Sequence, residues 1–151
     1  MQSRATDAPR RVVFDENIAQ RMREALAVRD EVLEAYVFGS HATGRAQGHS
    51  DIDVALYLDK RRSAEPAYGH AADLGTVLIA ALGLNEVDIV ILNDAPPVLY
   101  HRVLRDGIRI FSRDLRATTT REGYALSRYC DYLPQLAKME AARAAAASAG
   151  R

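Results

Sequence analysis

A mixed α/β domain built on one β-sheet flanked by helices is the fold this sequence predicts, and three observations carry the prediction. Short β-rich runs (AYVF, DIDVALYL, VDIVIL and GIRIF) alternate with longer segments whose apolar residues recur at helical spacing. The order that results is helix, strand, strand, helix, strand, helix, strand, helix, the plan of a single sheet covered by helices. The 151 residues are enough for one continuous core and hardly enough for two.

Residues 1–13 are polar and Arg-rich and are expected to be disordered, so the fold starts near Phe14 and the domain is expected to span residues 14–140. Asp15 can cap a first helix whose apolar positions Ile18, Met22 and Leu26 run on to Val32 or Leu33. AYVF then takes strand character until Gly39 stops it. From Asp51 to Leu58 the residues alternate, with Ile52, Val54, Leu56 and Leu58 on one face and Asp51, Asp53, Ala55 and Tyr57 on the other. Lys60, Arg61 and Arg62 read as a solvated turn that closes this strand. A second helix fits Tyr68 to Leu82 and is ended by Gly83, and Val87 opens a strand with Asp88 as its one charge. Pro96 and Pro97 open a short helix through Asp106, GIRIF is a fourth strand, and Asp114 caps a C-terminal helical region expected to be interrupted at Gly123 and Pro134. The alanine-rich tail, residues 141–151, is expected to be a fraying helix outside the core.

Composition narrows the function. Apolar residues make up 48% and charged residues 26%, and 20 basic side chains balance 20 acidic ones. A nucleic-acid polymer is therefore not the expected partner, since polymer binders carry a basic excess that displaces phosphate counterions. A single nucleotide is compatible with that balance. Cys130 is the only cysteine and cannot form an internal disulfide. With neither a long apolar window nor a secretory leader, a cytoplasmic protein without a membrane span is expected.

The chemistry concentrates in VFGSHATGRAQGHSDIDVALYLD. Residues i and i+2 of a strand point the same way, roughly 6.5 Å apart, so Asp51 and Asp53 present two carboxylates to one point. Two anions so close repel, and a divalent cation removes the repulsion. Mg²⁺ favours sites of one or two carboxylates completed by water and substrate phosphate. Asp88 can join them if its strand is a neighbour, giving a three-acid site for one or two metal ions in phosphoryl or nucleotidyl transfer. Gly39 permits a sharp turn and Ser40 supplies a hydroxyl; a helix starting there would aim free amides at phosphate. His41, Arg45 and His49 are candidate further phosphate contacts. A solvated turn at Asp51 and an exposed strand face at Asp53 are the bland alternative, and chance is a poor explanation for Gly-Ser and Asp-x-Asp at this spacing.

Gly39-Ser40, ten residues, then Asp51-Ile52-Asp53, with Asp88 in EVDIVIL, resembles the signature of the nucleotidyltransferase superfamily related to DNA polymerase beta. The small size, PPVLYHRVLRDGIRIFSRD and YALSRYCDYLPQL resemble within it the minimal nucleotidyltransferases of MntA type, antitoxins encoded beside HEPN-domain toxins. The resemblance covers about residues 15 to 140 and implies the nucleotidyltransferase fold and a type VII-like antitoxin. By implication it transfers AMP from ATP, with Mg²⁺, to a tyrosine of a HEPN ribonuclease toxin and silences it. Carried over by position, Gly39 and Ser40 would hold the triphosphate, Asp51 and Asp53 the metals, and Asp88 would bind metal and help activate the acceptor hydroxyl. Family members often carry arginines after the Gly-Ser where this chain has His41 and Thr43, so the resemblance implies a triphosphate grip that relies on Arg45 or is weaker.

About 150 residues leave no room for a second, substrate-binding domain, so the acceptor must bring its own binding surface. Tyr129, Leu133, Leu136 and Met139 recur at helical spacing, with Tyr132 beside them. The simpler expectation is that they pack on the sheet; the other is that they dock a protein acceptor. Two further functions compete: a binding module that masks its toxin over an idle nucleotide site, and a small-molecule nucleotidyltransferase such as one modifying an aminoglycoside.

Overall fold

The computed structural model describes residues 13–46 and 51–150. The described residues form ten elements: α1 Glu16–Ala27, β1 Val32–Phe38, a 3-10 turn Gly39–His41, β2 Ile52–Leu58, α2 Gly69–Leu82, β3 Val87–Ile91, a 3-10 turn Leu92–Asp94, α3 Pro97–Asp106, β4 Ile108–Ser112 and α4 Leu115–Ala149. Four strands form one mixed sheet in the order β3-β2-β1-β4, in which β2 and β3 are parallel and β1 is antiparallel to both β2 and β4. The fold is the α+β plan read from the sequence.

Local chemistry sets the boundaries. Asp15 Oδ1 accepts from Ile18 N at 2.9 Å and starts α1. The helix stops at Ala27, earlier than the apolar spacing through Val32 or Leu33 predicts. Val32 is instead the first residue of β1, fully buried opposite Leu58, and the pairing outweighs another turn of helix. Arg113 ties the junction, donating to Val32 O at 2.9 Å, Arg29 O at 3.0 Å and Ala27 O at 3.3 Å. Gly83 ends α2 with φ +65°, a left-handed cap that costs glycine nothing.

The alternation in β2 sorts the core into two layers. Val54, Leu56 and Leu58, with Val32 and Val37 of β1, pack under Met22 and Leu26 of α1 and Leu74 and Leu78 of α2. Each such side chain withdrawn from water contributes roughly 1.5–3 kcal/mol. On the opposite face Tyr36, Phe38 and Ala55 lie beneath Tyr100 and Val103 of α3 and Ala125 of α4. Ala55 is buried although it shares a face with the acids, because α3 and α4 cover that part of the sheet.

The C-terminal region departs most from expectation. α4 runs for 35 residues through both Gly123 and Pro134. Pro134 is exposed and removes one backbone N–H, and the alanine-rich sequence after it restores strong helix propensity. The buried residues of α4 are Thr118 and Ala125, so the line Tyr129, Leu133, Leu136 and Met139 does not pack into the sheet. Tyr129 stacks on His101 with ring centroids 3.7 Å apart, while Leu133 is 41% and Met139 38% exposed. No helix among the described residues is long and apolar enough to cross a membrane.

Candidate active site

The parallel β2–β3 pairing sets Asp53 directly beside Asp88, and the antiparallel β1–β2 pairing sets Phe38 on the other side of Asp53. Neighbouring strands lie about 4.8 Å apart, so the two carboxylates stand in one cross-strand row, with Asp51 two residues earlier on the same face. Asp51 and Asp88 are exposed, and Asp53 is half-buried between them. Burial raises the Asp53 carboxyl above its ordinary value, the Asp88 anion raises it further, His41 opposes the shift and Asp51 adds to it. A partly desolvated acid hemmed in by two like charges is poised to accept a cation.

Gly39 closes the site from β1. Its φ is +72°, and a Cβ placed there would overlap Asp53 Oδ2. Only glycine lets the chain turn so tightly against that carboxylate. No long helix begins at Ser40. The chain makes a three-residue 3-10 turn, with Thr43 N donating to Gly39 O at 3.2 Å and Arg45 N to Ser40 O at 2.9 Å. A second left-handed glycine, Gly44, then bends the loop away. The amides of Ala42, Thr43 and Arg45 are engaged within the turn, so the helix N-terminus expected at Ser40 is not formed.

The structure thus brings together Asp51, Asp53, Asp88, Gly39 and the buried His41, sets the half-buried Ser40 at the turn, and leaves Arg45 exposed beyond it. His49 lies outside the described residues. The donor set fits Mg²⁺: all-oxygen carboxylates, open on one side for water and phosphate, with the one crowded position cleared by a glycine. Among the described residues no three acid or imidazole groups already enclose a point tightly enough to hold an ion unaided. A Mg²⁺ site shared with substrate phosphates has that open character.

Two features escaped the sequence reading. Glu34 of β1 is fully buried and receives Arg121 of α4 through Nε at 3.1 Å and Nη2 at 2.9 Å, with Tyr100 OH at 3.4 Å. The signal was there: an acid between Val32 and Tyr36 in an apolar strand demands a partner. Tyr36 OH and Arg109 both donate to Glu122 at 2.7 Å, and together with Gly107, Gly123 and Leu126 they line a cavity of about 630 Å³ between α3, β4 and α4.

A row of strand-borne carboxylates facing a glycine-led turn is an arrangement that metal-dependent phosphoryl or nucleotidyl transfer could use. The chain belongs to the polymerase beta nucleotidyltransferase family, whose model matches residues 20–116. No curated protein sequence matches it significantly. Among solved structures, a chain of a toxin–antitoxin complex with AMP-PNP superposes with TM-score 0.68 at 21% identity, over 83% of this chain and 98% of that one. A chain of the complex between tri-AMPylated Shewanella oneidensis HEPN toxin and MNT antitoxin gives 0.64 at 19% identity, over 85% and 98%. One from the MntA-HepT toxin–antitoxin complex gives 0.64 at 19%, over 85% and 99%. At these identities the likeness is one of fold.

Proposed function

We propose that this protein is a type VII-like antitoxin that acts as a Mg²⁺-dependent protein adenylyltransferase, moving AMP from ATP to a tyrosine hydroxyl of a HEPN ribonuclease toxin and so neutralising it. The observation that carries the reading is the row of Asp53 and Asp88 with Asp51 beside it, closed by Gly39. Family membership supports nucleotidyl transfer, and the AMP-PNP and tri-AMPylated toxin in the complexes of similar fold support ATP and a protein acceptor.

Asp51, Asp53 and Asp88 would hold the metal; Gly39, Ser40 and Arg45 would bind the triphosphate. Bound Mg²⁺ supplies charge neutralisation at the reacting phosphate. The acceptor tyrosine oxygen attacks the α-phosphorus, a P–O bond to that oxygen forms, the bond from the α-phosphorus to the bridging oxygen breaks, and pyrophosphate leaves. The phenolic proton passes to Asp88 or to water. Asp53 holds its orientation because Gly39 packs against its carboxyl on one side and Asp88 stands on the other.

The test incubates the purified protein with α-labelled ATP, Mg²⁺ and the product of the adjacent gene as the candidate HEPN protein. Label is expected on the HEPN protein and is expected to vanish in the Asp51→Ala, Asp53→Ala double variant. Full labelling by that variant overturns the assignment. The masking reading is separated by toxin rescue in cells: undiminished rescue by the double variant supports masking.

A further inference from the structure

Thr119, Gly123, Leu126, Cys130, Leu133 and Ala137 fall on one stripe of α4 at steps of three and four residues, about 27 Å long. The stripe lies roughly a quarter turn from the line of Thr118 and Ala125 that packs inward. Leu126 is 50% exposed, and Cys130 and Leu133 are exposed too. Of the large exposed apolar side chains in the described residues, Leu115, Tyr124, Leu126, Leu133 and Met139 all belong to this one helix.

At its inner end the stripe opens into the cavity between α3, β4 and α4. Gly107, on the cavity wall, precedes Ile108, the partner of Val37, and so borders the row that holds Phe38 and Asp53. Two strand spacings, about 10 Å, separate it from Asp53, and a third leads on to Asp88. The arginines at the mouth are already paired, Arg105 with Asp106 at 2.8 Å and Arg109 with Glu122 at 2.7 Å. With its cations engaged and Leu104 and Leu126 in its wall, the cavity suits apolar side chains better than a phosphate.

Gly123 supplies an independent observation. A glycine inside a helix costs about 1 kcal/mol relative to alanine. A Cβ there would meet nothing within 4 Å, so the folded chain itself does not require glycine. What it leaves is bare backbone facing the cavity, the condition for close approach by a second backbone.

We propose that this cavity and the stripe leading from it form the docking surface for the acceptor protein, which seats an apolar helix along α4 and crosses it at Gly123. The proposal rests on the adenylyltransferase reading, in which the acceptor must present one hydroxyl to Asp53 and Asp88 and therefore lie against the surface that borders the Phe38–Asp53 row, where this cavity opens. A straight line of apolar positions at steps of three and four matches the ridge of another helix.

Cys130 reports on the surface directly, being the only cysteine and lying within the stripe. The rate of its alkylation by N-ethylmaleimide, followed as the mass shift of the full chain, is expected to fall at least tenfold when the neighbouring HEPN protein is added to saturation. Leu126→Glu with Leu133→Glu, both at exposed positions that leave the core untouched, is expected to weaken that complex at least tenfold by calorimetry and leave AMP-PNP affinity within twofold. An unprotected Cys130 in the saturated complex, an unchanged affinity of the double variant, or no complex at all overturns the surface. Protection that grows with the chain's own concentration assigns the stripe to a second copy and overturns it as well. AMP transfer measured in the same samples separates the two proposals. Label on an acceptor that leaves Cys130 reactive removes the surface and keeps the transferase, whereas a protected Cys130 without label does the reverse.

Discussion

At the scale of single residues, Gly39 fits closely against Asp53. The glycine adopts φ +72°, and the carboxylate occupies the space where a side chain would start. Gly39→Ala therefore meets two penalties, a left-handed backbone that L-residues resist and an overlap with Asp53 Oδ2. The chain relieves the overlap by moving the carboxylate, and a displacement on the order of 1 Å at a reacting centre costs about 100-fold in rate. We expect Gly39→Ala to fold and to transfer labelled AMP about 100-fold more slowly than the wild type. A variant within threefold of wild type would show that the contact has no part in the chemistry.

At the scale of elements, α4 is the piece whose placement the sequence least revealed. Arg121 is one of its ties to the sheet: it reaches the fully buried Glu34 and lies over the Tyr57 ring with 5.0 Å to the centroid. Removing one partner of a buried pair strands the other charge and costs about 3–5 kcal/mol. Arg121→Met is expected to lose about 3 kcal/mol in urea unfolding, and Glu34→Leu combined with it should recover most of that loss. A single-variant loss below about 1 kcal/mol would mean that water already reaches Glu34. The alternation of Ile52, Val54, Leu56 and Leu58 against Asp53, Ala55 and Tyr57 was legible because strand periodicity is local. Glu34 and Arg121 are 87 residues apart, so no local pattern joins them. Gly123 and Pro134 read as breaks because propensity is judged residue by residue, whereas a helix with one end anchored on the sheet absorbs both. Ser40 suggested a helix start for the same local reason, whereas the chain makes only three residues of 3-10 turn before the left-handed Gly44.

For the whole molecule, the two faces of the sheet carry different burdens. α1 and α2 bury one face in a continuous apolar layer, while α3 and α4 leave the end of the other open around Asp53 and Asp88. Holding acids there opposes folding. The Asp53 carboxyl is raised by burial and by Asp88, so its folded pKa lies above the ordinary 3.8. A raised acid favours its protonated form in the fold; relative to an uncharged residue, its contribution is greatest below pH 3.8 and is lost as the pH rises through the folded value. In EDTA, Asp53→Asn should therefore match or trail the wild type in Tm at pH 3.5 and exceed it at pH 7.5. Mg²⁺ with AMP-PNP should reverse the order at pH 7.5. A ligand that binds only the folded state stabilises it by about 2.7 kcal/mol at a hundredfold excess over its Kd, which raises Tm by several degrees in a domain of this size. The wild type should show that rise and Asp53→Asn should not. Equal rises in both proteins would place the Mg²⁺-nucleotide away from Asp53, and a Tm advantage of Asp53→Asn that is the same at pH 3.5 and 7.5 would remove the electrostatic cause.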